Sequence, residues 1–155
     1  MMREPDFVAR PGQVDYTDVR YAPVLNALVV CQGKVLLLQR SAGMRSYPRY
    51  WCGISGYLDD HRSVEDKARQ EMQEEVGITG DRIVGIERGT VLLQEAPECG
   101  KSWLVVPVLV RVEGMGYRLD WESQAADWFS SSEAMMLNLL PGFEAVIAQY
   151  REVIQ

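Results

Sequence analysis

Residues 56–78 read GYLDDHRSVEDKARQEMQEEVGI, and the second half of this stretch crowds like charges together. Glu71, Glu74 and Glu75 put three carboxylates into five positions. On a helix, residues three and four positions apart are neighbours, so Glu71 stands beside both of the others. Each like-charge pair opposes the helix by about 0.2–0.5 kcal/mol, which a solvated helix face could absorb. However, no lysine or arginine alternates with these glutamates, which favours a binding face over a face made only for solubility.

The same stretch carries the start and stop signals of one helix. Ser63 and Asp66 form an S-x-x-D pair, which predicts a capping box at the N-terminus of the helix. Apolar residues then recur at every fourth position, and Gly77 is well placed as the C-terminal cap. The pattern predicts a helix of about 13 to 15 residues. Its apolar seam consists of Val64, Ala68, Met72 and Val76.

Three carboxylates on one helix face supply hard oxygen ligands. Mg²⁺ and Mn²⁺ prefer such ligands, and a phosphorylated substrate can complete their coordination. A bound cation cancels the repulsion between the carboxylates and can polarise a phosphoryl oxygen or activate a water. From the helix alone, the glutamates form either a solvated helix face or a divalent-metal site.

The stretch resembles the Nudix box, whose pattern is G-x5-E-x7-R-E-U-x-E-E-x-G-U, with U a bulky apolar residue. Strands, a loop that ends in a Trp, the box, further strands and a final helix also follow the order of the Nudix hydrolase domain, over roughly residues 24–150. The positions in register with the box are Gly56, Glu71, Met72, Glu74, Glu75, Gly77 and Ile78.

Two charged positions depart from the pattern. Arg62 stands where the box has glutamate, and Gln70 stands where it has arginine. In the family these two positions commonly form an ion pair around the loop–helix turn, so their joint change is self-consistent. Arg62 can pair instead with one of three nearby acids, namely Asp59, Asp60 and Asp66.

The resemblance implies an α/β (α+β) fold of the Nudix type, an α/β/α sandwich in which a mixed sheet packs between helices. It also implies cleavage of a diphosphate bond in a nucleoside diphosphate linked to another group, with Mg²⁺ or Mn²⁺. Glu71, Glu74 and Glu75 would be metal ligands, joined by the carbonyl of Gly56. Either Glu71 or Glu74 would take the proton from the attacking water.

A further acid from a later loop serves some members of the family. Glu122 is the better candidate by its spacing to Trp128, and Asp127 is second. Arg40 and Arg45 would grip phosphates, because guanidinium groups suit them. Three aromatic residues could stack on a base, although core packing is the commoner role of such side chains: Trp51, Tyr57 and Trp103.

The rest of the chain predicts one domain. Residues 1–22 are polar and read as an N-terminal arm, and residues 23–155 form the domain. APVLNALVV and KVLLLQR predict a hairpin, and RIVGIERGTVLLQE and SWLVVPVLVRVE predict two long strands joined by APECGK. DWFS predicts a short edge strand, and PGFEAVIAQYREVIQ has helical spacing to the end. A homodimer is possible, with the arm as the crossing segment.

Composition excludes several classes of protein. The chain has 155 residues, 47% of them apolar, which fits a soluble globular protein. Its net charge of −6 argues against a nucleic-acid or anionic-membrane binder. The N-terminus lacks the apolar region of a signal peptide, and no apolar run is long enough to span a bilayer. We therefore expect a cytoplasmic protein, and the resemblance implies that it acts on a small phosphorylated molecule derived from a nucleotide.

Cysteine and histidine are too few for other catalytic sites. The three cysteines, Cys31, Cys52 and Cys99, are widely spaced, which predicts free thiols. His61 is the single histidine, and no G-x-S-x-G motif accompanies it, which argues against a Ser-His-Asp triad. Hydrolytic chemistry in this chain must therefore rely on carboxylates.

Three alternative interpretations arise, and the first of them, a P-loop, is rejected. CGKS at residues 99–102 imitates the end of a P-loop, but Glu95 stands at the first glycine position and a strand pattern follows. VLLLQRSAGMRSYPRYWCGISGY also resembles isopentenyl-diphosphate isomerases, with Tyr57 at their histidine position and Cys52 as the nearby thiol. The altered Arg62 and Gln70 favour a third alternative, a catalytically weak Nudix-fold module that binds nucleotides.

Overall fold

The computed structural model describes residues 7–155. Eight strands form one sheet, and three α-helices pack against it. The strands are β1 (Tyr21–Cys31), β2 (Lys34–Arg40), β3 (Trp51–Cys52), β4 (Ile54–Tyr57), β5 (Ile83–Arg88), β6 (Leu92–Ala96), β7 (Lys101–Val112) and β8 (Ser123–Phe129). The helices are α1 (Val64–Val76), α2 (Ser131–Met135) and α3 (Phe143–Ala148).

The sheet is mixed, as expected. Its main path runs β3–β2–β1–β7–β5, with β4 on β1, β6 on β7, and β8 on β2. The long central strands β1 and β7 are parallel, from the pair Tyr21 and Ser102 to the pair Val30 and Arg111. Every other pairing of named strands is antiparallel.

The predicted first hairpin is confirmed. Strands β1 and β2 pair antiparallel around a two-residue turn. Gln32 and Gly33 occupy that turn with φ of 54° and 77°. Two successive residues with positive φ match the twist of a tight hairpin, and glycine adopts this conformation without strain.

Helices cover both faces of the sheet, so the expected α/β/α sandwich is confirmed. On one face the seam residues Ala68, Met72 and Val76 of α1 are fully buried against β1, β2 and β7. On the other face Phe143 and Ile147 of α3 are buried in a second apolar cluster. These two cores fix α1 on the sheet and leave its polar side outward.

Helix α1 has the predicted length and ends. The Ser63 hydroxyl accepts a hydrogen bond from the Asp66 backbone N–H at 3.1 Å, which is one half of the predicted capping box. Gly77 ends the helix with φ of 67°, and its N–H donates to the carbonyl of Gln73. The helix spans 13 residues.

Two elements differ from their predictions. The run at residues 82–95 forms two strands, β5 and β6, because it meets β7 at Pro107, which has no N–H to give to the ladder. There the Gly89 N–H donates to the Pro107 carbonyl at 2.8 Å. The C-terminal helix ends at Ala148, because the chain then turns and buries Ile154 in the core.

The N-terminal arm is shorter than predicted at its inner end. Strand β1 begins at Tyr21, so it includes the last two residues of the predicted arm, residues 1–22. Residues 7–20 are irregular and lie on the domain, where the Val14 N–H donates to the Asp59 carbonyl at 2.7 Å. Residues 1–6 lie outside the described residues. No helix among the described residues is long and apolar enough to span a membrane.

Candidate functional site

The face of α1 that carries Glu71 and Glu74 borders a polar cleft of about 210 Å³, which we call the glutamate cleft. Strand β4 forms one wall, helix α1 a second wall, and the N-terminal arm a third. The segment before β8 contributes one more acid. The lining residues are Arg10, Gln13, Ser55, Gly56, Tyr57, Asp59, Lys67, Gln70, Glu71, Glu74 and Glu122.

Glu71 lies inside the cleft against the backbone of β4. A Cβ atom on Gly56 would stand 2.5 Å from Glu71 Oε1, closer than any side chain tolerates. Gly56 therefore provides the space that the carboxylate occupies. Burial, together with the neighbouring carboxylates of Glu74 and Glu122, raises the pKa of Glu71 to about 7.

Glu74 and Glu75 differ in their surroundings. Glu74 is exposed at the rim, where its Oε1 accepts a hydrogen bond from Gln70 Nε2 at 2.8 Å. Glu75 is only 5% exposed, and its Oε2 has no hydrogen-bond partner among the described residues. Burial raises the pKa of Glu75 well above its ordinary value, and the carboxylates of Glu122 and Glu71 add to the shift.

The structure brings Glu122 to the cleft and leaves Asp127 outside it. Glu122 follows a turn in which its own N–H donates to Asp120 Oδ1 at 3.0 Å. Its carbonyl accepts from the Ser41 N–H at 2.8 Å, which ties this segment to the loop after β2. Asp127 is exposed within β8, opposite Leu37.

The donor chemistry of the cleft fits a divalent cation. Glu71, Glu74 and Glu122 offer oxygen ligands only, and the unpaired Oε2 of buried Glu75 lacks the partner that such an atom normally has. Across residues 7–155, however, no three His, Cys, Asp or Glu side chains are placed closely enough to hold a metal ion as they stand.

A different ion pair replaces the one expected around the loop–helix turn. Lys67 Nζ lies 2.9 Å from Asp59 Oδ1, and both side chains are buried. Arg62 pairs with Asp60 at 2.6 Å, which identifies its partner among the three acids considered. This pair holds the pKa of Asp60 well below its usual range. The Lys67 pairs anchor Asp59 and Asp60 to α1, and the Arg62 pair lies within the loop before the helix.

Gln70, at the arginine position of the box, forms a hydrogen bond within α1 in place of an ion pair. Its Nε2 donates to Glu74, and its Oε1 is buried without a hydrogen-bond partner among the described residues. Sequence reasoning missed Lys67, although a signal was present. Lys67 lies four positions before Glu71 and therefore on the same helix face.

Neither predicted phosphate-binding arginine lines the glutamate cleft. The Arg40 guanidinium donates to the Ser46 carbonyl, through Nη2 at 2.8 Å and Nε at 3.0 Å, and so closes the loop after β2. Arg45 is exposed on that loop. Arg40 borders a separate recess of about 40 Å³, together with Trp103 and Asn26. The Oδ1 of Asn26 is buried there without a hydrogen-bond partner among the described residues.

The aromatic residues pack mainly against one another. Trp51 meets Phe129 edge-on with ring centroids 5.4 Å apart. Tyr57 stacks on Tyr16 of the arm at 5.7 Å, and Trp103 lies 5.8 Å from Tyr57 on its other side. These three side chains therefore pack in or against the apolar core. Trp103 also borders the small recess.

Two residues of the alternative interpretations, Lys101 and Cys52, have structural roles. Lys101 of the P-loop-like CGKS begins strand β7, and its Nζ donates to three arm carbonyls, including that of Thr17 at 3.0 Å. Cys52 is buried, and burial raises the pKa of its thiol to about 11, so the thiol is protonated at neutral pH. The three cysteines are free, as predicted.

Comparison with known proteins gives one family. A model of the NUDIX domain matches residues 20–150. No sequence among the curated proteins matches the chain significantly.

Several solved structures share the fold. A MutT NUDIX hydrolase from Burkholderia pseudomallei is 20% identical with a TM-score of 0.71, over 84% of this chain and 98% of that one. The NUDIX domain of Shewanella oneidensis NrtR, solved with ADP ribose, is 17% identical with a TM-score of 0.71, over 87% and 89%. A C. elegans Ap4A hydrolase, solved as a binary complex, is 22% identical with a TM-score of 0.64, over 86% and 96%.

Proposed function

Because the chain belongs to the Nudix domain family, we propose that it hydrolyses a diphosphate bond in a nucleoside diphosphate linked to another group. The observation that carries this proposal is the shared cleft of Glu71, Glu74 and Glu122. Glu71 and Glu74 come from α1 whereas Glu122 comes from the segment before β8, so solvation of one helix face does not account for their meeting. Gly56 supports the proposal, because a Cβ atom at this position would collide with the Glu71 carboxylate.

Mg²⁺ or Mn²⁺ is the proposed cofactor. Glu71, Glu74, Glu75 and Glu122 would hold it, together with the carbonyl of Gly56. When bound, such an ion neutralises phosphate charge and lowers the pKa of a bound water.

The glutamates of the chain would handle the proton of the attacking water. The water oxygen forms a new bond to phosphorus while the bond from phosphorus to the bridging oxygen breaks. The proton of the water passes to Glu71 or Glu74, and the departing phosphate carries the electron pair of the broken bond. Glu71 is enclosed by β4 whereas Glu74 is open to solvent, so separate substitutions can distinguish the two residues.

A nucleotide-derived substrate is the proposed class. Two proteins with this fold were solved as complexes, the NrtR NUDIX domain with ADP ribose and the Ap4A hydrolase as a binary complex. In this chain, the recess bordered by Trp103 and Asn26 offers an aromatic face and an unpaired oxygen acceptor. A nucleobase can contact such groups at the edge of the recess, although a recess of about 40 Å³ is too small to enclose a base.

A binding module without turnover is the second candidate. The motive for this candidate is the change at two box positions, where Arg62 replaces glutamate and Gln70 replaces arginine. The isomerase alternative has less support. Its candidate thiol, Cys52, is buried, and Tyr57 is stacked on Tyr16 and packs against Trp103.

A substrate panel tests the proposal. The panel contains ADP-ribose, dNTPs, oxidised dNTPs, coenzyme A, dinucleoside polyphosphates and isopentenyl diphosphate, each with Mg²⁺ and with Mn²⁺. We expect at least one nucleotide-derived compound to release a phosphorylated product. Binding of a compound without turnover would favour the binding module, and isomerisation without product release would favour the isomerase.

A further inference from the structure

We propose that the described part of the N-terminal arm, residues 7–20, forms part of this cleft and that Arg10 binds the diphosphate of the substrate. This inference rests on the proposed function for the nature of the anion. The arm places Arg10 and Gln13 along the cleft that Glu71, Glu74 and Glu122 border.

The arm is fixed to the same residues that anchor α1. Gln13 Nε2 donates to Asp59 Oδ2 at 3.0 Å, and the Val14 N–H donates to the Asp59 carbonyl at 2.7 Å. The other carboxylate oxygen of Asp59 pairs with buried Lys67 of α1. One aspartate therefore joins the arm and the glutamate helix.

A tight turn then sets the position of Arg10. The Gln13 N–H donates to the Arg10 carbonyl at 2.9 Å, and the Arg10 N–H donates to Gln13 Oε1 at 3.1 Å. Gly12 has φ of 81° within this turn, a conformation that glycine adopts readily. The Gln13 side chain therefore binds both the Asp59 carboxylate and the backbone N–H of Arg10.

The arm is held a second time nearer to β1. Tyr16 stacks on Tyr57, with ring planes inclined by 15°. Lys101 Nζ donates to the carbonyls of Tyr16, Thr17 and Val19. Two separate attachments thus hold the arm, on either side of residue 15.

Charge distribution assigns the binding role to Arg10. Two cationic side chains line the described part of the cleft, Lys67 and Arg10. Lys67 is buried between Asp59 and Asp60 and already neutralised by them. Arg10 is exposed, and its guanidinium makes no hydrogen bond or ion pair with another described residue. A diphosphate in an acidic cleft needs a cation, and guanidinium binds phosphate oxygens bidentately.

Calorimetric binding of methylenediphosphonate tests the inference without turnover, since its P–C–P bridge cannot be hydrolysed. The titration contains Mg²⁺ and compares the wild-type protein with Arg10→Ala, Arg10→Lys and Arg69→Ala. Arg69 is an exposed arginine of α1 that does not line the cleft, so it provides the matched control. We expect Arg10→Ala to weaken binding about tenfold to a hundredfold. Arg10→Lys should retain part of the affinity, and Arg69→Ala should bind like wild type.

Equal affinity of Arg10→Ala and wild type would overturn the inference, and so would a wild-type protein that does not bind the probe. Arg10 is exposed, so its substitution should leave the fold intact, which near-UV circular dichroism can verify. Failure of the proposed function is distinguishable. If the protein binds methylenediphosphonate through Arg10 but hydrolyses no compound of the panel, the role of Arg10 stands and the proposed hydrolase activity is wrong.

Discussion

Gly56 and Glu71 form the closest contact in the candidate site. An alanine Cβ at position 56 would approach Glu71 Oε1 to 2.5 Å, so Gly56→Ala must displace this carboxylate. The opposing atoms belong to the end of a flexible side chain, so the fold should survive. We expect the rate of hydrolysis to fall about a hundredfold, because a displacement near 1 Å has that effect on a catalytic group. Steady-state kinetics together with thermal unfolding measures both quantities.

Gly116→Ala is the matched control for this substitution. No atom lies within 4 Å of a Cβ at position 116, so neither activity nor unfolding temperature should change. If Gly56→Ala hydrolysed substrate at the wild-type rate, the position assigned to Glu71 would be wrong.

Single residues differed in how far the sequence could locate them. Spacing along one helix was enough to place Glu71 and Glu74 on a common face, because that relation is local. Glu122 lies in the cleft because of the turn at Asp120, and the geometry of that turn could not be predicted from the sequence. Arg10 and Arg40 were harder still, since their positions depend on how a loop or arm folds back on the domain.

At the level of elements, helix α1 was the best-predicted part of the chain. Its cap, seam and terminating glycine are short-range signals, and they agree with one another. The family's ion pair at positions 62 and 70 is replaced by other pairs, and the sequence predicted these only in part. A free partner for Arg62 was expected among nearby acids, whereas the buried pair of Lys67 and Asp59 depends on the path of the loop.

The buried pair of Lys67 and Asp59 should stabilise the junction between loop and helix. Lys67→Met removes the cation that pairs with the buried Asp59 carboxylate. The expected loss is about 3–5 kcal/mol of unfolding free energy, as for other buried pairs that lose one member. Urea unfolding measures this loss. The double variant Lys67→Met/Asp59→Asn removes both charges and should recover part of it. A single variant as stable as wild type would contradict the role of the pair.

Helix α1 is also joined to β5 by an exposed ion pair. Arg88 Nε and Nη2 donate to the two carboxylate oxygens of Glu65 at 2.7 and 2.8 Å. This bidentate pair lowers the pKa of Glu65 from 4.5 to about 2 in the folded state. A lowered folded-state pKa means that the contribution to stability is complete above about 4.5 and is lost as the pH falls toward 2.

Glu65→Gln should therefore reduce stability near neutral pH and flatten the acid side of the stability profile. The effect should be small, because both side chains are partly exposed and solvent screens them. Thermal unfolding of both proteins across the acid range provides the measurement. Parallel profiles at all pH values would show that the pair does not contribute.

At the scale of the whole molecule, the sequence predicted the sandwich and most strands but not every boundary. Alternation and turn residues located the first hairpin and the loop before β7. They did not locate the break between β5 and β6, because that break depends on the contact between Gly89 and Pro107. The C-terminus likewise turns toward the first hairpin, where the Gln155 N–H donates to the Gly33 carbonyl at 2.8 Å. Cytoplasmic location and a homodimer remain predictions.

The central claim is that this chain hydrolyses diphosphate bonds with a divalent cation held by the glutamate cleft. The most direct measurement is product release from the substrate panel before chelation, after chelation with EDTA and after Mg²⁺ or Mn²⁺ is restored. The same series is run on wild type, Glu71→Gln and Glu144→Gln, the last being an exposed glutamate of α3. We predict hydrolysis that stops on chelation, returns with the cation and falls about a hundredfold to ten-thousandfold in Glu71→Gln alone. Absence of hydrolysis from the whole panel, or hydrolysis that is indifferent to chelation and to Glu71→Gln, would contradict the account.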